Sequence, residues 1–96
     1  MDTYVILRRG GWPSVEELEL AAERSTAEGE RLGTVRWLRS YVLAERDAVG
    51  TVCVYQAESP EAIREHASRA RLPVDEIVRV ADTVVMGPDP TPADAG

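Results

Sequence analysis

The chain has no lysine and no asparagine, and only one cysteine and one histidine among its 96 residues. Without lysine there is no side-chain amine for a Schiff base, which excludes pyridoxal phosphate attachment. Without asparagine there is no N-glycosylation acceptor. One cysteine cannot close an internal disulfide, and one histidine cannot supply a multi-histidine metal cage within a single chain. No run approaches the ~20 apolar residues of a membrane helix, and the opening MDTYVILRRGG lacks a signal-peptide pattern. No nucleotide-binding motif stands out, and a reducing cytoplasm is the expected compartment. All 11 basic residues are arginine, set against 17 acidic ones for a formal charge of −6. Such a domain is a poor partner for nucleic acid, because neutralising phosphates needs a basic stripe.

What is present fits one small soluble domain, 44% apolar and 29% charged. A chain this short buries only ~60–65% of its unfolded surface, so added apolar contact from a partner chain would raise its stability. Residues 3–9, TYVILRR, read as a strand stopped by Gly10 and Gly11. Ser14, with Glu17 three residues on, starts a helix along Leu18, Ala21, Ala22 and Ser25. Residues 34–45 and 51–57 read as a hairpin turning over 47–50. Ser59 and Pro60 open a second helix with the apolar stripe Ile63, His66, Ala67 and Ala70, stopped by Leu72-Pro73. Residues 77–86 read as the last strand. The domain is expected over 1–86, and a Pro/Asp/Gly-rich flexible tail over 87–96.

The order β-α-β-β-α-β predicts an α+β, ferredoxin-like fold, a four-stranded antiparallel sheet with two helices on one face. The bare face is the physical reason to expect a homodimer. Strand alternation groups side chains by parity. The more aliphatic set, with Val5, Leu7, Leu38, Val42, Val52, Val54, Val78, Val80 and Val84, is assigned to the helix side. The other set, with Tyr4, Ile6, Arg8, Trp37, Arg39, Tyr41, Cys53, Tyr55, Arg79 and Thr83, is assigned to the bare side. A slip of one residue would exchange the two sets.

Two stretches carry a resemblance: Val35-Arg36-Trp37-Leu38-Arg39-Ser40-Tyr41-Val42 with Cys53-Val54-Tyr55-Gln56-Ala57, and Glu61-Ala62-Ile63-Arg64-Glu65-His66-Ala67 with Leu72-Pro73-Val74-Asp75-Glu76-Ile77. Together they resemble a family of small bacterial ferredoxin-like proteins, one member of which is described as a nickel-binding dimer. The resemblance runs from Tyr4 to about Val85. Relatives tend to carry glycine where this chain has Arg71. The family implies a dimer and divalent-metal binding, with Ni(2+) as the ion.

Each candidate residue has a plainer alternative. His66 is first a buried imidazole of the second helix, and second a metal ligand, since imidazole suits nickel. Glu61, Glu65, Asp75 and Glu76 are close enough to it in sequence to serve as oxygen ligands, with Glu65 and Asp75 preferred, although no H-E-x-x-H spacing supports them. Cys53 is first a small buried hydrophobe and second a thiolate. The assigned parity puts it across the sheet from His66, which disfavours a Cys-His dyad. Trp37, Tyr41 and Tyr55, with Arg8, Arg39 and Arg79, form either a dimer interface or a pocket for a small anion. The preferred reading is a small homodimeric binding protein for a divalent metal. The alternative is an anion binder or an enzyme without a prosthetic group, with Tyr41, Tyr55 and Cys53 as acid, base or nucleophile and Arg39 holding charge. A dimer with no ligand is the third possibility.

Overall fold

The apolar periods resolve into six elements in the computed structural model, which describes residues 1–89. They are β1 (Asp2–Trp12), α1 (Val15–Leu32), β2 (Val35–Glu45), β3 (Ala48–Ala57), α2 (Pro60–Ala70) and β4 (Glu76–Arg79). The strands form one antiparallel sheet in the order β2-β3-β1-β4, the ferredoxin-like arrangement expected. The tail expected over 87–96 lies outside the described residues from residue 90 onward. Among the described residues no helix is long and apolar enough to cross a membrane.

Both helices are capped as their sequences dictate. Ser14 is extended, and its Oγ accepts the Glu17 N–H at 3.2 Å, while Gly33 closes α1 in the left-handed region at φ 68°. Ser59 accepts the Ala62 N–H at 3.1 Å, and Pro60 fills the first turn of α2, where its missing N–H costs nothing. Arg71 ends α2 at φ 58°, and the Leu72 N–H reaches back to the Ala67 carbonyl at 2.8 Å. This is a Schellman ending that usually falls to glycine.

On β1 and β3 the two faces of the sheet are the reverse of the sequence expectation, while Arg39, Tyr41 and Val42 of β2 lie on the faces expected of them. Tyr4, Ile6, Arg8, Cys53 and Tyr55 are buried beneath the helices, whereas Val5, Leu7, Val52 and Val54 lie on the bare side and are only partly covered. The reason is volume. The helices present Ala21, Ser25, Ala62, Ala67 and Ala70 to the sheet. Small helix residues leave space that valines would not fill and that tyrosine, isoleucine and arginine do. The core proper gathers Tyr4, Ile6, Val35, Cys53, Tyr55, Ala57, Ala62 and Ile63. Burying an isoleucine such as Ile6 or Ile63 contributes about 1.5–3 kcal/mol.

Two irregularities interrupt the strand ladders, and the one on β2 resets its parity. On β2, Trp37 faces Tyr55 and Arg39 faces Val54, so Leu38 is an extra residue. This bulge turns Ser40 and Val42 toward the helices, and Arg39 and Tyr41 away from them. Trp37 and Tyr41, expected on one face, are therefore on opposite faces. On β1, three residues between Arg8 and Trp12 oppose Gly50 alone; the two extra residues are an even number, so Trp12 keeps the parity of Arg8 and lies on the helix side. The chains approach so closely there that a Cβ on Gly50 would collide with the Arg8 carbonyl oxygen. Gly50 thus serves strand contact, while the turn itself falls at Arg46 and Asp47.

The last strand is also shorter than expected. Its partner β1 runs out at Asp2, and the final bond of the ladder is Val80 N–H to the Thr3 carbonyl at 2.9 Å. Val84, Val85 and Met86 consequently stand in solvent, 80%, 76% and 93% exposed.

Candidate functional site

Inverting the faces brings the unusual side chains under α1, where they line an open cleft of about 300 Å³. The sheet supplies Arg8 and Trp12 from β1, Trp37, Ser40 and Val42 from β2, and Thr51, Cys53 and Tyr55 from β3. Helix α1 supplies the opposing wall, chiefly Val15, Leu18, Ala21, Ala22 and Ser25. A second opening of about 320 Å³, lined by His66, Gly29 and Val35, shares Ser25, Trp37 and Tyr55 with the first. Trp37 lies nearly parallel to Tyr55, with ring centroids 6.4 Å apart and an interplanar angle of 16°. The stacked pair therefore forms the partition between the two openings.

Arg8 dominates the electrostatics of the larger cleft. It is 1% exposed, and neither Nη1 nor Nη2 has a hydrogen-bond partner among the described residues. Buried guanidinium groups are normally paired, because an unsatisfied buried donor costs ~1–3 kcal/mol and a charged one more. No carboxylate of the chain meets it in a salt bridge among the described residues.

Around Arg8 the polar groups are neutral and mutually bonded. The Tyr55 hydroxyl and the Ser25 hydroxyl are 3.0 Å apart. Burial, with a smaller push from Cys53, holds the Tyr55 phenol above its ordinary value, and the Ser25 bond, the Arg8 charge and a hydrogen-bonding contact with the Arg8 side chain offset this only in part. Trp37 Nε1–H donates to Ser40 Oγ at 2.8 Å, Ser40 Oγ–H to Cys53 Sγ at 3.0 Å, and the thiol to Thr51 Oγ1 at 3.3 Å. Cys53 is thus held between two hydroxyls.

His66 packs against Tyr55, with centroids 5.7 Å apart, on the same side of the sheet as Cys53. The opposite-face placement expected from parity is thereby corrected. Its Nε2 lies 2.8 Å from the Ser25 carbonyl oxygen, which can only accept, so Nε2 carries the proton and Nδ1 keeps its lone pair. That Nδ1 is buried without a hydrogen-bond partner among the described residues, as is Glu28 Oε2. Burial lowers the pKa of the ring; the Ser25 bond raises it, Arg8 lowers it further, and Glu28 raises it.

Of the residues singled out from sequence, Arg8, Trp37, Cys53 and Tyr55 come together in the cleft. Arg39 and Tyr41 lie on the bare face, where both bind the Asp89 carboxylate, Tyr41 at 2.7 Å. Arg79 sits at the sheet edge and pairs with Asp2 at 3.4 Å. His66, Glu65 and Asp75 do not converge: Glu65 pairs with Arg69 on the exposed side of α2, and Asp75 accepts the Arg9 backbone N–H. Among the described residues no three His, Cys, Asp or Glu side chains are grouped to hold a metal ion. Sequence reasoning missed Trp12, because it stopped the first strand at Gly10 and Gly11 whereas β1 runs on to Trp12, and gave Ser25 no role beyond the α1 stripe.

Residues 4–80 match the family model described as nickel responsive protein SCO4226-like. The fold is similar to that in the crystal structure of SCO4226 from Streptomyces coelicolor A3(2), with a TM-score of 0.69 and 20% identity over 85% of this chain and 99% of that one. No curated protein sequence matches the chain. The family match spans most of the domain, and this chain belongs to the SCO4226-like family of nickel responsive proteins.

Proposed function

We propose that this protein is a small cytoplasmic homodimeric binding protein of the nickel responsive family, and that its cleft beneath α1 takes a small anion on Arg8. One observation carries the reading: a buried guanidinium at the wall of an open cleft, beside the Tyr55 hydroxyl, with neither terminal nitrogen in a well-formed hydrogen bond among the described residues. Such a fork grips a carboxylate or a comparable oxyanion through two charge-assisted bonds. Binding is favoured over catalysis because the Tyr55 phenol is held protonated and the bond partners of the Cys53 thiol are hydroxyls, not a base. Small carboxylates should raise the melting temperature of the wild type and leave Arg8→Met unmoved. Equal shifts in both proteins would reject the site.

A metal role has its own support. The donors that fit nickel chemistry are His66 Nδ1 and Glu28 Oε2, both buried and unpartnered, with the carboxylate in electrostatic reach of the ring. Two donors make only part of a coordination set, so the remaining ligands would come from solvent. In equilibrium dialysis, nickel uptake should fall in both His66→Ala and Glu28→Gln. Uptake that is absent from the wild type, or unaltered in the two variants, would refute the assignment.

The dimer reading rests on the bare sheet face. Val5, Leu7, Val52 and Val54 are partly covered there, with Leu38 and Val78 more open. A second copy seated on this face would bury them and offer cover to the exposed segment at Val84, Val85 and Met86.

A further inference from the structure

We infer that the ligand of Arg8 is an aromatic monocarboxylate, its carboxylate on the guanidinium and its ring flat against the Trp37–Tyr55 stack. This rests on reading the cleft as an anion site, and four features of the cleft narrow the ligand.

The first is charge. The lining holds one cation, Arg8, and one carboxylate, Glu19. A monoanion is matched by a single guanidinium. A phosphate ester carries ~1.5–2 negative charges and calls for a cluster of donors or a helix N-terminus, as well as tolerance of a nearby carboxylate. Here the first turn of α1 has its Glu17 N–H bound to Ser14.

The second is depth. Arg8 is 1% exposed, so any anion reaching it sheds its water on that side. An inorganic ion recovers nothing for that loss except the Arg8 contact. An anion with an apolar body also buries surface against Val15, Leu18, Ala21, Ala22 and Val42, at roughly 25 cal/mol per Å².

The third is shape. One wall is a pair of near-parallel rings, and the wall across from it includes the short side chains Ala21 and Ala22. A slot with a flat aromatic side and a low opposing side suits a planar body, and ring stacking adds affinity beyond that of the area buried. The fourth is size. A cleft of about 300 Å³ lies at the lower end of the range for ligand pockets, which suits one ring or two fused rings and not a dinucleotide or another large cofactor. The Tyr55 phenol, which keeps its proton, and the Ser25 hydroxyl beside it stand ready to bond a second carboxylate oxygen or a ring substituent.

The chain's two tryptophans, Trp12 and Trp37, both line this cleft, so intrinsic fluorescence reports its occupancy. Calorimetric and fluorescence titrations with benzoate, hexanoate, benzyl alcohol and inorganic phosphate separate the features. Benzoate should bind saturably at one site per chain with a change in tryptophan emission, and hexanoate at least tenfold more weakly. Benzyl alcohol and phosphate should not bind. Arg8→Met should abolish benzoate binding, and Arg8→Lys, which keeps the charge but not the fork, should weaken it by tenfold or more; folding of each is checked by circular dichroism. Trp37→Leu should weaken benzoate about tenfold and leave hexanoate unchanged. Phosphate binding that needs Arg8, or hexanoate binding as tightly as benzoate, would overturn the aromatic monocarboxylate while leaving an anion site in place. Silence from every anion would remove both.

Discussion

Arg8 is where stability and function pull apart. A buried cation without a partner is a burden on the unliganded fold, and apolar side chains of similar volume are often tolerated better at such positions. Arg8→Met should therefore stabilise the empty protein, by about 1–3 kcal/mol in urea unfolding, while ending its response to carboxylates. Loss of stability on that substitution would mean that the guanidinium is satisfied within the fold. His66 gives a second test at this scale. Burial holds its pKa below the ordinary 6.5, so between the two values the unfolded chain binds more protons than the native one. Its contribution is complete above about pH 6.5 and is lost as pH falls through that value toward the lower native one. Urea unfolding measured from pH 8 to pH 5 should show the wild type weakening on the acid side more than His66→Gln; parallel profiles would contradict the burial argument. His66 is a buried imidazole of the second helix, as its sequence position implies, but its neighbours were not legible. The surroundings of Arg8 were not legible either, because they depend on α1 residues seven to seventeen positions away.

At the scale of the element, the periodic segments were legible because local chemistry fixes them. The Ser14 and Ser59 caps, Pro60, and the stop at Leu72-Pro73 lie where their sequences put them. The face assignment failed because hydrophobicity alone does not decide which side of a strand meets small helix residues. Ala21, Ala62 and Ala70 ask for bulk, and the bulky parity answered. The bulge at Leu38 was equally hidden, since nothing in Trp37-Leu38-Arg39-Ser40 marks an extra residue. That bulge parts Trp37 from Tyr41 and so divides the aromatic set between the cleft and the bare face. The end of α2 carries a prediction of its own. Arg71 holds a left-handed conformation at φ 58° that glycine adopts without strain. Arg71→Gly should keep the Schellman bonds and stabilise the fold by about 0.5–1 kcal/mol, read from thermal or urea unfolding. A destabilised variant would mean that the Arg71 side chain contributes more than its backbone costs.

The whole molecule is a one-sided sandwich. Its helix side encloses a charged, aromatic cleft, and its other side leaves valines only partly covered. The proposed dimer across that bare side predicts twice the chain mass in sedimentation equilibrium and a shift toward the monomer in Val54→Glu. A wild type that stays monomeric at all concentrations would exclude it. Cleft and interface then occupy opposite faces, so anion binding should persist in a monomeric variant. The most direct test of the central claim is a crystal structure with 4-bromobenzoate, located by the anomalous signal of bromine. The bromine should lie in the cleft beneath α1, with the carboxylate bonded to both terminal nitrogens of Arg8. Bromine found only on the bare face, with the Arg8 nitrogens bonded to the protein's own oxygens, would contradict the account.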